Sequence, residues 1–319
     1  MVVPTAMHLR GHSVSMVEFL SDCITALSDG KDTTGLAEAH RTFLTAGAAA
    51  LAAASGEAWV QLGLAPGAGQ ARLLYPEVAS LAREWLAHGE ISDFFFMHKP
   101  PGLRLRFAPA VGHTDALKTA LHQRVREWRE AGLVTEIRPA VYEPEMHLFG
   151  GPASMSWAHR LFTVDSLTWL DQHTRPDGCP SWALSLLMLR TVFEELRGDA
   201  GEDRDVWARV REAGRRWPSG AADGTADVAA EFLRCWSRPG ELARAVPEHA
   251  RHLAERHAEQ ARPLLRQWWT EYFSGDQASI GPRQAAAHYV VFHWNRAALS
   301  FGRQVLITES LARVADHVR

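Results

Sequence analysis

Cysteine is scarce: the 319 residues hold three, at positions 23, 179 and 235, with no Cys-x-x-Cys pair. That argues against a disulfide-stapled scaffold and a thiolate zinc site, and it fits a reducing compartment. A basic excess is missing as well. The formal charge of -3 and the pI of about 6.6 speak against a chain whose main partner is nucleic acid, because such chains carry a cationic footprint. Long apolar runs are absent, and the Ala-rich stretch from Ala46 to Ala54 falls short of a membrane span. The opening MVVPTAMHLRGHSVSM has neither the charged and apolar regions nor the cleavage site of a secretion signal, so a soluble, cytoplasmic protein is expected. There is no His-Glu-x-x-His, no Gly-x-Ser-x-Gly and no internal repeat. Gly67-Ala68-Gly69 follows a predicted strand, but Arg72 stands where a dinucleotide loop needs its third glycine. His249, His252 and His257 sit on one predicted helix at spacings that do not share a face. They read as a solvated surface rather than a metal site. No metal and no cofactor is expected.

What is present is an ordinary globular balance, 46% hydrophobic and 22% charged, with 12 Trp and 16 His. The aromatic rings suit either a well-filled core or a cleft for an apolar, heteroaromatic or peptide ligand. Residues 1–56 read as N-terminal helices, with Val17, Leu20 and Ile24 at helical spacing and a second helix from Leu36 to Ala54. Residues 57–143 switch period. Strands are predicted at Trp59–Leu64, Asp93–His98, Leu103–Phe107 and Leu133–Tyr142, and helices at Tyr75–His88 and Thr114–Ala131. The order β-α-β-β-α-β is that of a ferredoxin-like antiparallel sheet, with helices on one face and the other left open. Residues 144–319 read as mostly helical. Ser154 and Ser181 are expected N-caps, Gly198 a stop, Asp199–Asp205 a polar connection and Pro218–Gly224 a loop. A long helix is expected from Glu241 to Phe273, kinked at Pro263, and a last one opened by Pro282. The fold class is α+β in one integrated domain.

Three constellations could carry chemistry. In Pro100-Pro101-Gly102-Leu103-Arg104-Leu105-Arg106-Phe107, alternation puts both guanidinium groups on one face, where they either clamp carboxylates and carbonyls or are simply solvated. Tyr142-Glu143-Pro144-Glu145-Met146-His147-Leu148-Phe149-Gly150-Gly151 is an irregular junction in which Glu145 and His147 are acid–base candidates. It is equally readable as a structural loop. On the predicted helix from Gln284, Tyr289, His293, Arg296 and Ser300 form one polar stripe among Ala, Val, Phe and Trp. Such a stripe needs either a wet cleft or internal partners.

These segments, taken in order with Asp165-Ser166 and Asn295-Arg296, resemble the C-terminal elimination-type domain of lantibiotic dehydratases and its stand-alone relatives. Two activities are known on that scaffold. One eliminates glutamate from glutamylated Ser or Thr; the other, pyridine synthesis, joins two dehydroalanines of a precursor peptide. Eliminating members read Pro-Glu-x-x-Arg-Tyr-Gly-Gly, where this chain has Leu148 and Phe149 at the Arg and Tyr positions. They also carry a His four residues before the Asn-Arg pair, where this chain has Val291. The lost arginine alone would remove a charge-assisted contact of about 1.5–3 kcal/mol. The wording is closer to the thiopeptide pyridine synthases.

That resemblance implies a cofactor-independent enzyme. It would perform a formal [4+2] aza-cycloaddition, then dehydration and expulsion of the leader peptide. Its partner would be a ribosomally made precursor peptide, leader and modified core, with a homodimer left open. Tyr289 and His293 are the expected proton donors to the iminol oxygen, and Glu90 and Glu145 the acid–base groups. Ser15, or Ser13, is suggested by the position of a functional serine in the family. Arg104, Arg106, His98, Phe149 and Arg296 are the expected substrate contacts. Glutamate elimination and an inactive leader-binding scaffold are the alternatives.

Overall fold

The computed structural model describes residues 6–9, 12–29, 36–54, 59–175, 178–196, 200–213, 226–275 and 278–312. The chain divides into two compact units, Met1–Gly56 and Glu57–Arg319. The first unit opens with an antiparallel hairpin of β1 (Ala6–Leu9) and β2 (His12–Ser15), followed by α1 (Met16–Asp29) and α2 (Ala37–Ala54). The helices are as the periodicity predicts, and the hairpin is an addition to them. Ser15 ends the hairpin and caps α1. Its Oγ accepts from the Glu18 backbone N–H at 3.1 Å, and Glu18 Oε2 accepts from the Ser15 N–H at 3.3 Å, a reciprocal Ser-x-x-Glu box. In α1 it is Phe19 and Cys23 that are buried, with the Phe19 ring against His40 and Phe43. Val17, Leu20 and Ile24 lie on the exposed side.

The second unit begins with β3 (Val60–Pro66), α3 (Ala71–His88), β4 (Ile91–Lys99), β5 (Gly102–Pro109), α4 (Thr114–Glu130) and β6 (Val134–Val141). The strands pair antiparallel in the order β4-β5-β3-β6, so the ferredoxin-like arrangement read from the alternation is the one observed. Register decides which side chains share a face. Phe94, Phe96 and His98 stand opposite Phe107, Leu105 and Leu103, in line with Leu62 and Leu64 of β3. α3 covers this face with Leu74, Val78, Leu81 and Trp85. α4 supplies Leu117, Leu121, Val125 and Trp128, and is tied to α3 by Trp128 Nε1 donating to Glu77 at 3.3 Å. Burying each such side chain stabilises by roughly 1.5–3 kcal/mol relative to leaving it exposed.

The opposite face carries Gln61, Phe95, Met97, Lys99, Arg104 and Arg106. It is less open than the alternation suggests, because α5 (Pro152–His173) runs along β4. The backbone N–H groups of Phe94 and Phe96 donate to Thr163 Oγ1 at 3.0 Å and Ser166 Oγ at 3.2 Å. Hydroxyls thus take the place of a further strand on an edge that would otherwise leave its donors unpaired. α5 buries residues all round its circumference, as a central helix must.

Helices complete the unit: α6 (Ser181–Glu195), α7 (Ala200–Ala213), α8 (Ala226–Ser237), α9 (Pro239–Ala245), α10 (Glu248–Trp268), α11 (Pro282–Arg296) and α12 (Phe301–Ala312). A π turn, Trp269–Phe273, extends α10. The single helix expected from Glu241 breaks at Val246, which is extended because Pro247 follows it. Pro263 lies inside α10 without ending it. The polar run Asp199–Asp205 is not a connection: α7 starts at Ala200, with Glu202 and Asp203 favourably placed in its first turn. Ser154 is not a cap but accepts a hydrogen bond from Trp268 Nε1 at 2.8 Å, and α6 follows Pro180 rather than being capped by Ser181. Gly198 and Pro218–Gly224 lie outside the described residues. Among the described residues no helix is long and apolar enough to cross a membrane.

The Phe149-Gly150-Gly151 step launches α5. Both glycines are left-handed, with φ of 86° and 101°, and the Gly150 carbonyl accepts from Tyr272 Oη at 3.0 Å and Ser279 Oγ at 3.1 Å. A Cβ at Gly150 would collide with the Tyr272 hydroxyl, whereas one at Gly151 meets nothing. Gly150→Ala is therefore expected to lose about 2–4 kcal/mol of stability, from backbone strain plus steric conflict. Gly151→Ala should lose only the strain, about 1–2 kcal/mol. Urea unfolding of the two variants checks the order.

Candidate functional site

The arginine face of the sheet holds a cation built into an aromatic frame. Arg106 is 4% exposed. Its Nε donates to Gln61 Oε1 at 2.6 Å and its Nη1 to Met97 Sδ at 3.1 Å. Its Cζ lies 4.8 Å from the Phe95 ring centre and 4.5 Å from that of Tyr142. Among the described residues Nη2 receives no hydrogen-bond partner. Gln61 is itself held by donating Nε2 to the Val141 carbonyl at 3.0 Å. Burial brings the Arg106 guanidinium down to about 10, and Arg104 and Arg296 nearby add to this against Glu145, so the group stays charged at neutral pH. Lys99 is likewise lowered by burial, with Glu145 opposing. Arg104 is half-buried and, among the described residues, donates to the Pro100 carbonyl alone, at 3.4 Å.

Tyr142 and His159 close this frame. The phenol, raised by burial, keeps its proton and donates to His159 Nε2 at 2.9 Å. The imidazole is pushed down to about 3 by burial and by Arg106, and is neutral. Trp59 packs 4.4 Å from the His159 ring. One oxygen of Glu145, Oε2, is buried without a partner.

A second cluster lies wholly inside, around Asp165 of α5. Arg296 Nε and His293 Nδ1 both meet its carboxylate, the latter at 2.8 Å, and His257 Nε2 stands 3.5 Å away. His293 Nε2 accepts from Ser185 Oγ at 2.9 Å. Burial raises Asp165, but His293 and Arg296 outweigh it and hold the carboxyl well below the ordinary range. His293 itself is lowered by burial. The permanent charge that keeps Asp165 ionised is therefore Arg296. Arg296 Nη1 and Nη2, the Tyr289 hydroxyl and both nitrogens of His257 are buried without hydrogen bonds. Phe162 touches both clusters: it packs against Phe95 and His159, against Tyr289, and under the Arg296 guanidinium at 4.5 Å.

Arg104 and Arg106 thus share a sheet face with Lys99, and Glu145 and Arg296 act on Arg106 electrostatically. Tyr289 and His293 are placed deeper, fully buried, in the Asp165 cluster. Four expected site residues fall elsewhere. Glu90 precedes β4 at the end paired with Pro109, roughly 15 Å along the strand from the Phe95–Arg106 pair. Phe149 is a core residue among Phe162, Trp268 and Phe292. His98 points to the face opposite the arginines, because it shares the parity of Phe96. Ser15 is occupied as a helix cap in the first unit, and Ser13 stands opposite His8 in the hairpin.

Sequence reading misplaced His257 as well: it is 1% exposed and beside Asp165 rather than solvated. It also did not single out Gln61, Lys99 or Ser185. Gln61 has a signal, a polar residue in an apolar strand at the parity of the arginines. Ser185 has none. Among the described residues no three His, Cys, Asp or Glu side chains stand together as metal ligands.

Comparison with known proteins identifies the family. The family model for the lantibiotic biosynthesis dehydratase C-terminal region matches residues 59–315. The chain belongs to this family. Members are enzymes acting on ribosomal peptides. Among solved structures, the tRNA-dependent lantibiotic dehydratase MibB from Microbispora sp. 107891 is similar with a TM-score of 0.62 at 17% identity. The match covers 80% of this chain and 27% of that one, so this chain spans about a quarter of that dehydratase's length. TsrL aligns with a TM-score of 0.47 at 17% identity over 80% of this chain and 93% of its own. The pyridine synthase TbtD, from thiomuracin biosynthesis, aligns with 0.45 at 13% identity over 80% and 96%. A search of curated proteins finds no match. Within the matched span Asp165 meets Arg296, and Ser166 seals Phe96.

Two outcomes are expected. Asp165→Asn strands the Arg296 charge in the core and should destabilise by about 3–5 kcal/mol in urea unfolding. Acid should destabilise earlier than carboxylates alone would allow. His173, lowered to about 4 by burial with His98 adding to it, His159 at about 3 and His98 are all neutral when folded. The unfolded chain takes up these protons below the ordinary value of 6.5 and the folded chain does not. Stability is thus complete above that value and declines as pH falls from there towards 4, by at most about 1.4 kcal/mol per pH unit each for His173 and His159, with His98 acting in the same direction. Urea midpoints across that range check it.

Proposed function

We propose that this protein is a pyridine synthase of the thiopeptide type. It would join two dehydroalanines of a precursor peptide and release the leader. The observation that carries the reading is the apolar character of Leu148, Phe149 and Val291, where eliminating members hold Arg, Tyr and His, beside a retained Arg106 and the unpaired Nη1 and Nη2 groups of Arg296. A glutamate-eliminating site needs the extra arginine and a proton-transfer group. A cycloaddition needs mainly a shaped, desolvated pocket and donors at one carbonyl oxygen.

In this reading one backbone amide is held as its iminol, so that C=C–N=C(OH) is the azadiene and the second dehydroalanine the dienophile. Two new carbon bonds close the ring. Loss of the hydroxyl as water and of the leader as a carboxamide then gives the pyridine, with no oxidant required. Arg106 Nη2, with Arg104 and Lys99 beside it, stabilises negative charge on the carbonyl oxygen. Glu145 moves the protons. Tyr289, whose O–H is unpaired, is a donor candidate. His293, with both ring nitrogens engaged, belongs to the frame that holds Arg296. The aromatic wall of Trp59, Phe95 and Tyr142 suits heteroaromatic rings of the core.

The second reading is glutamate elimination. The fold shared with MibB favours it, and so does the surplus of positive charge at Lys99, Arg104 and Arg106, which would hold a glutamyl carboxylate. One assay separates the readings. A precursor carrying two dehydroalanines should yield leader amide and a macrocycle by mass spectrometry, and Arg106→Gln should slow this about 100-fold while leader binding is kept. Conversion of a glutamylated precursor to dehydroalanine would establish the second reading, and unchanged masses with both would leave only a leader-binding scaffold.

A further inference from the structure

Helix α11 ends at Arg296, and a helix leaves its last four carbonyls without intrahelical partners. Here each is satisfied, in two different ways. Ala297 N–H donates to the His293 carbonyl at 2.9 Å and Leu299 N–H to that of Trp294 at 3.2 Å, the chain turning through Ala298 at φ 54°. The carbonyls of Asn295 and Arg296 receive side chains instead: His98 Nδ1 at 3.0 Å and His173 Nε2 at 2.8 Å.

The two histidines come from β4 and α5, nearly 200 and over 120 residues from the carbonyls they meet. Their rings contact each other edge to face at 5.1 Å. His98 is fixed at its other nitrogen by the Tyr75 hydroxyl at 3.0 Å, and His173 lies against the rings of Tyr75 and Trp169. The end of α11 is therefore clamped by three elements, α3, β4 and α5, immediately behind the residue whose guanidinium joins the cation group.

We propose that His98 and His173 are positioning residues, two imidazoles that cap the final carbonyls of α11 and thereby set where the Arg296 guanidinium sits in the site. The bonds assign tautomers. A carbonyl only accepts, so His98 carries its proton on Nδ1 and takes the Tyr75 proton at Nε2, whereas His173 carries its proton on Nε2. Burial lowers both rings, which agrees with neutral imidazoles. Without the donors the two carbonyls would be stranded next to the core. The last turn would fray or rotate, and a shift of about 1 Å in a positioned group costs on the order of 100-fold in rate.

This inference rests on the site proposed above, so its test has an arm that needs no turnover. In ¹⁵N-labelled protein, the ring nitrogens of His98 and His173 should show the Nδ1–H and Nε2–H forms. The Arg296 Nε–H resonance, assigned by its loss in Arg296→Lys, should exchange slowly with water. In His98→Leu and His173→Leu that exchange should speed up. In His98→Asn and His173→Gln, which keep a donor at the same point, it should stay slow. With an active preparation, the Leu variants should lose about 100-fold in kcat with little change in KM or leader affinity, and the Asn and Gln variants should recover most of it. Reversed tautomers, or Arg296 exchange unaltered in the Leu variants, would overturn the proposal. So would equal damage from the Leu and the Asn or Gln variants. Should the Leu variants fail to fold, the wild-type tautomers and the Asn and Gln variants decide alone. Absence of a cyclised product with the spectroscopic results intact would count against the reaction, not against the clamp.

Discussion

One buried ion pair organises this protein. Asp165 is fully enclosed, and Arg296 supplies the charge that keeps it ionised there. A buried pair of this kind is weak as a source of net stability, because desolvating both ions consumes most of their attraction. Its value is directional. It ties the middle of α5 to the end of α11, and His293, Ser185 and His257 arrange themselves around the same carboxylate. α5 in turn is bonded to the edge of the sheet, so the cation group on the sheet and the polar heart of the helical part belong to one rigid frame.

The chemistry available at the sheet face follows from charge that is not neutralised. Lys99, Arg104 and Arg106 have no ion-pair partner among the described residues, and Glu145 offers the nearest compensation. Keeping such charges partly or wholly out of water is unfavourable unless something negative, or an oxygen becoming negative, arrives. Under either reading proposed for this chain, the substrate supplies such an oxygen. In the reading proposed above, the apolar side chains at positions 148, 149 and 291 favour the cycloaddition.

Much of this was legible in the sequence, and the limits were physical. Alternation over 103–107 gave the strand and the shared side of Arg104 and Arg106. The same parity already separates His98 from them, since it runs with Phe94 and Phe96. The stripe Tyr289, His293, Arg296 announced a buried polar helix face, but its partner lies some 130 residues away and no local pattern points to it. His257 shows the converse. On an amphipathic helix near the half-buried His249 and the exposed His252 it looks like a surface residue, and only tertiary packing sets it against Asp165. Glu90 was misplaced because periodicity fixes which side a residue faces, not how far along the sheet it stands. Ser15 carried its structural role openly, in the Ser-x-x-Glu spacing.

The hydroxyl seal on β4 has a consequence for the fate of the chain outside the native state. Phe94, Phe95, Phe96 and Met97 form an uncharged, strongly strand-forming run at the sheet's margin, and among the described residues its outward amides are silenced by Thr163 and Ser166 alone. Any loosening of α5 would bare those amides beside four apolar side chains, which is a template for intermolecular strand addition. α5 therefore acts as a guard against aggregation as well as a spine, and the order in which it docks during folding governs how long that template is on display.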